Sequence, residues 1–228
     1  MSNKILVVVT SFEKYPDLNR ATGLWLGEAV HFVKKVTEAG YKVDYVSPKG
    51  GYTPIDPHSL EMAEPVDWDW YQNKTFMNEL GSTMKPEEVR PDDYAAIYFT
   101  GGHGVVWDFP ENHELQKISQ QIYRNGGIIS SVCHGVAGLL NIKNEKNEFL
   151  IKDKKVTGFS NEEEKLAGVD EYVPFLTEDE IVKRGANYHK AEKAYDAYAI
   201  EDGRIITGQN PASSEDVAVL VLNQLKNG

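Results

Sequence analysis

A chain of 228 residues that is 41% hydrophobic and 26% charged can bury a full core without staples, and its single cysteine excludes an internal disulfide and a cysteine-type zinc site. The net charge of -11, with no basic patch in view, argues against phosphate-backbone binding and so against nucleic-acid partners; it favours small neutral ligands over polyanions. The apolar run before Thr10 is too short for a signal core or a membrane span, so no membrane association and a reducing cytoplasm are expected.

Ile5 to Val9 is an uninterrupted aliphatic run, the pattern of a strand buried on both faces. After a polar loop, Glu28 opens a helical pattern in which Ala29, Phe32, Val33 and Val36 form one apolar stripe, with Gly40 as terminator. Tyr41 to Val46 reads as the next strand. This strand, helix, strand unit predicts an open parallel α/β sheet. Glu28 lies one turn before Phe32, at the edge of the stripe that faces the core; the plain alternative is a carboxylate favouring the helix start.

Residues 49–91 read as an insertion. Gly50, Gly51, Pro54 and Pro57 mark a loop, and Leu60 to Arg90 is an irregular, acidic segment with Trp68, Trp70 and Tyr71. Those aromatics pack on the sheet or a second subunit, or else form a lid or protein-binding surface. Ala95 to Phe99 is another buried strand, ending in Thr100-Gly101-Gly102-His103-Gly104; glycines there allow a ligand close to the backbone and offer oxyanion-binding amides, although a tight turn needs the same residues. Leu115, Ile118 and Ile122 mark a crossover helix.

Gly126 to Leu140 follows. The strand Ile128 to Val132 meets a helical pattern from His134, and Cys133 falls at the bend. Ser131 and Gly135, two residues to either side, are small, as a nucleophile elbow demands. A helix starting at His134 is expected to favour thiolate at Cys133, with a helix end supplying at most about 2 kcal/mol. A lone cysteine at a strand end is otherwise a core filler.

Polar residues from Asn141 to Lys155 surround a short excursion at Phe149 to Ile151. Val156 to Phe159 resembles a strand ending at Ser160, before the acids Glu162, Glu163 and Glu164, which by themselves read as a solvated helix start. Thr177 to Glu180 fits a capping box, and Ala199 to Thr207 a hairpin across Asp202-Gly203. The loop Gly208 to Pro211 leads to a last helix capped by Ser213 or Ser214 and running through Val217, Leu220, Val221 and Leu225.

The combination of V-C-H-G, G-G-H-G, V-T-G-F followed by acids, and T-G-Q-N-P-A-S resembles the PfpI-type branch of the class I glutamine-amidotransferase-like superfamily. The segment G-L-W-L-G-E-A around Glu28 and the insertion make the chain most similar to the group of glutathione-independent glyoxalase III and heat-shock chaperones. The resemblance implies one domain over residues 1–228, a doubly wound, mostly parallel sheet with helices on both faces and a flavodoxin-like core, and a homodimer. It implies Cys133 as nucleophile, His134 beside it, Glu28 touching the sulfur and Glu164 completing a Cys-His-Glu triad, with Glu162 and Glu163 left open as alternatives. Gly101, Gly102 and His103 would line the substrate. The implied reaction converts methylglyoxal or glyoxal to lactate or glycolate without a cofactor. Unfolded or glycated proteins are further expected partners, with a holding chaperone or a cysteine peptidase as alternative functions. Some chaperones of the group hold a metal on two histidines and a carboxylate; no matching motif is found, so no metal is expected.

Overall fold

The computed structural model describes residues 2–227. In chain order its first elements are β1 (Lys4–Val8), α1 (Leu26–Glu38) and β2 (Lys42–Val46). Three short helices follow in the insertion, α2 (Pro57–Glu61), α3 (Pro65–Tyr71) and α4 (Lys74–Gly81). Next come β3 (Ala96–Phe99), α5 (Val105–Asp108), α6 (His113–Arg124) and β4 (Ile128–Val132). The last third holds β5 (Lys155–Val156), α7 (Asn161–Ala167), α8 (Thr177–Lys183), β6 (Asn187–Tyr188), β7 (Ala199–Asp202), β8 (Ile205–Gly208) and α9 (Ser214–Asn227).

The main sheet has the order β2-β1-β3-β4-β8-β7, parallel except for β7, which pairs antiparallel with β8. From β1 the chain first builds outward to β2, then crosses to β3, β4 and β8 on the other side. The direction therefore reverses between β1 and β3, and it is beside such a switch point that open α/β sheets bind ligands, at the carboxyl ends of the strands.

The period of two along β1 sorts its residues between two cores. Ile5 and Val7 join α1, α9 and Tyr98 on one face, while Leu6 and Val8 join Phe99, Ile129 and the α6 residues Leu115, Ile118 and Ile122 on the other. Both faces are sealed, which is why the run has no polar member. Each such aliphatic side chain contributes roughly 1.5 to 3 kcal/mol on burial. On the α1 face, Phe32 stacks on Tyr98 with ring centroids 3.6 Å apart.

Three expected elements differ. The segment after Cys133 is a 3-10 helix, Cys133–Leu139, beginning at the cysteine itself and not an α-helix from His134. Its tighter winding brings it against β3, where glycine is needed: a Cβ on Gly135 would lie 2.3 Å from the Phe99 carbonyl oxygen, and one on Gly138 would enter the Phe99 ring. Val156 to Phe159 is not a strand of the main sheet. Only β5 is extended, and it pairs with β6 in a separate two-stranded sheet, because β8 already takes the edge of β4. Thr177 does not cap α8; Leu176 holds the cap position, and the Thr177 hydroxyl is buried without a partner among the described residues.

The insertion lies against α1. Trp70 is partly buried on the core and meets Phe76 edge to face at 5.0 Å, while Trp68 stays 39% exposed beside Tyr71. Among the described residues no helix is long and apolar enough to cross a membrane.

Gly135→Ala should cost about 1 to 3 kcal/mol, the range for forced overpacking. Urea unfolding measures this, and an unchanged midpoint would show that the approach of β3 to the 3-10 segment is not tight.

Candidate active site

Three elements converge at the carboxyl ends of β3 and β4. Cys133 ends β4 with φ +56°, a left-handed conformation that costs a non-glycine residue roughly 1 to 2 kcal/mol and turns its side chain out of the strand direction. Val132 at φ -138° is still extended, so the whole change of direction falls on one residue. Gly101 follows β3, where a Cβ would sit 2.6 Å from Glu28 Oε2 and 3.0 Å from Cys133 Cβ. The close packing of acid, thiol and backbone thus depends on that glycine.

Glu28 comes from the first turn of α1 and is 0% exposed. Its Oε2 accepts the Gly101 amide at 2.5 Å. Its Oε1 is buried without a nitrogen or oxygen partner, on a carboxyl group that hydrogen-bonds with Cys133. Burial, offset in part by the Gly101 amide and Cys133, raises Glu28 to about 8, so the acid is largely protonated at neutral pH.

The thiol departs from the expected thiolate. Burial pushes Cys133 well above its ordinary value, Glu28 adds to this when it is ionised, and the His134 amide opposes it only in part. A buried seven-residue 3-10 segment is too weak a source of positive field to reverse that balance. Burial thus favours the thiol over the thiolate, and a neighbour able to accept its proton offsets that preference.

That neighbour is His134, whose Nδ1 lies 3.3 Å from Cys133 Sγ. His134 Nε2 donates to Glu164 Oε2 at 2.7 Å, and His103 Nε2 donates to Glu164 Oε1 at 2.6 Å. Burial pushes the Glu164 carboxyl up, but the two imidazoles together outweigh it and hold the acid well below the usual carboxylate range. An ionised Glu164 places a hydrogen on each Nε2, which leaves His134 Nδ1 as an acceptor facing the thiol. Phe159 covers His134 with ring centroids 4.4 Å apart.

Among the three acids after Phe159, the structure brings Glu164 to His134. Glu163 is the N3 member of a capping box: its Oε2 accepts the Ser160 amide and hydroxyl, both at 2.8 Å. Its Oε1 accepts from Gln209, Asn210 and the Tyr195 amide. Glu164, one residue further round α7, faces the histidines instead. The capping spacing S-x-x-E was the signal that could have separated the two. Tyr195, in the loop before β7, and Gln209 and Asn210, directly after β8, carry no sequence signal of that role.

Gly102, at φ +94°, presents an amide that no backbone group among the described residues accepts. Gly101 cannot serve in the same way, since its amide is held by Glu28. His103, His134 and Glu164 also form a two-histidine, one-carboxylate set whose donor atoms lie within 4.8 Å of one another. Their arrangement does not fit an ion between them. Each nitrogen is already 2.6 to 2.7 Å from a carboxylate oxygen, whereas ligands about 2.0 to 2.1 Å from a common zinc stand farther apart.

The sequence matches the DJ-1/PfpI family over residues 21–224, and the chain belongs to that family. Within it, the chain is 36% identical to the glutathione-independent glyoxalase HSP31 of Saccharomyces cerevisiae, covering 98% of both. It is similar in structure to glyoxalase III of Candida albicans, with a TM-score of 0.89 and 33% identity over 96% of each chain. The rapid encystment protein of Francisella tularensis has a TM-score of 0.94 and 38% identity over 99% of each.

Because Glu28 is protonated more readily folded than unfolded, its burial lowers stability as pH rises from the ordinary carboxyl value of 4.5 to about 8, and no further above that. Glu28→Gln should therefore be more stable than the parent at pH 8 by up to roughly 4 kcal/mol, with the difference shrinking toward pH 5. Thermal unfolding at the two pH values tests this; a gap that widens toward pH 5 would reverse the sign.

Proposed function

We propose that the protein is a glutathione-independent glyoxalase that converts methylglyoxal or glyoxal into lactate or glycolate by an internal redox exchange. The observation that carries this is the Glu28 carboxyl, fully buried against Cys133 with Oε1 unpaired and poised near pH 8. Acyl transfer alone needs no such group. Moving hydrogen between adjacent carbons needs an acid and base that water cannot reach.

The thiol of Cys133 gives its proton to His134 Nδ1 as Sγ bonds to the aldehyde carbon. The oxygen that becomes negative is held by the Gly102 and His134 amides and then takes the proton back from His134, leaving a neutral hemithioacetal. With the sulfur now covalently bound, Glu28 gives its own proton to the neighbouring ketone oxygen and so becomes the base. It removes the hydrogen from the former aldehyde carbon and returns it to the neighbouring carbon, while a proton passes from one oxygen to the other. One carbon is oxidised and its neighbour reduced, so the 2-hydroxyacyl thioester forms with no outside electron acceptor. Water then cleaves the carbon–sulfur bond to release the hydroxy acid and restore the thiol.

The burial of the site favours a dicarbonyl over a peptide. Cys133 is 2% exposed, and His134 and Glu164 1% each, which suits a molecule of a few heavy atoms. A second role, holding unfolded proteins, draws support from the exposed pair Trp68 and Tyr71 on α3. Replacing both by alanine should impair suppression of aggregation while leaving the small-molecule reaction intact.

Purified protein given methylglyoxal should form lactate without glutathione. Cys133→Ala and Glu28→Gln should each lose at least about 10³-fold in kcat, and Glu164→Gln about 10² to 10⁴-fold. Absence of lactate, or full activity in either of the first two variants, would falsify the proposal.

A further inference from the structure

We infer that His103 is a second general base, sharing Glu164 with His134, and that it takes the proton of the water that releases the product. This deepens the glyoxalase proposal and rests on it.

The two imidazoles stand in matching relation to one carboxylate. Each donates from Nε2 to its own oxygen of Glu164, and the rings lie 4.2 Å apart between centroids. With the hydrogen on Nε2, the Nδ1 of each is a free acceptor. His134 Nδ1 faces the sulfur. Among the described residues no hydrogen bond engages His103 Nδ1, and His103, at 6% exposure, is the most open of Cys133, His134, Glu164 and itself. Tyr15 and Phe159 flank its ring, with centroids 5.8 and 6.1 Å away, and the charged or titratable groups acting on it are Glu164, His134 and Asp56. Burial, followed by the neighbouring His134, pushes His103 below the ordinary imidazole value, so it waits in the neutral, proton-accepting form.

The chemistry calls for two proton acceptors. Cleavage of the thioester by one water forms a carbon–oxygen bond and breaks the carbon–sulfur bond. One hydrogen of that water must return to sulfur, and the other must leave once the acid ionises. His134, beside Sγ, is placed to deliver the first. His103, on the open side, accepts the proton lost when water attacks and passes it to solvent, while the hydrogen left on the added oxygen goes through His134 to the departing sulfur as the acid ionises. Repulsion between the two imidazoles limits the pair to one extra proton at a time, which Glu164 balances from between them.

His103→Gln keeps an N–H donor for Glu164 but cannot take up a proton. During turnover of methylglyoxal its kcat should fall about 10²-fold with little change in KM, and intact-protein mass spectrometry should show a hydroxyacyl group accumulating on Cys133. His134→Gln should stall before that adduct forms. In His103→Ala, added imidazole should restore part of the lost rate, which also decides the matter if the glutamine variant folds poorly. Wild-type turnover by His103→Gln, or a slow variant with no adduct and no rescue by imidazole, overturns the role of His103 alone. If the wild type makes no lactate, the glyoxalase function falls and this role falls with it.

Discussion

The site depends on one strained backbone turn. Cys133 holds a left-handed conformation between β4 and the 3-10 segment, and that conformation survives only because its surroundings leave no alternative. Gly135 lets the segment lie against the carbonyls of β3, Gly101 leaves room for the Glu28 carboxyl, and the stack of Phe32 on Tyr98 fixes the helix from which Glu28 projects. Tyr98 ties the two directly, donating its hydroxyl to the Glu28 carbonyl at 3.0 Å. The strain at the thiol and the burial of the acid are thus two consequences of one close packing of β3, β4 and α1.

Burial also sets the electrostatics. A thiol and a carboxyl held together away from water both favour their protonated forms. On the far side of the sulfur the opposite holds. Glu164 is just as buried, yet two imidazole N–H groups keep it ionised, and it in turn fixes which nitrogen of His134 faces the thiol. Two glutamates of equal burial therefore serve in opposite charge states because one has donors for both oxygens and the other for only one.

Much of this was legible in the chain. Uninterrupted aliphatic runs such as Ile5 to Val9 and Ile128 to Val132 mark strands sealed on both faces, and small residues at Ser131 and Gly135 mark the bend. Local patterns misled where contacts compete with them. Val156 to Phe159 looks like a strand, but its place beside β4 belongs to β8, a segment almost fifty residues away. Burial opposes the thiolate expected at Cys133 for a similar reason: a helix start is visible in sequence, whereas desolvation is a sum over residues from the whole fold.

Sequence by itself determined the sheet, the bend and the residue types at the site, because periodicity and glycine placement are local properties. Only the tertiary structure decided which acid meets His134, that Glu163 is spent on Ser160, Gln209 and Asn210, and that His103 shares Glu164. Apart from the capping spacing that ties Glu163 to Ser160, those choices are contacts between segments far apart in the chain, which local spacing does not encode.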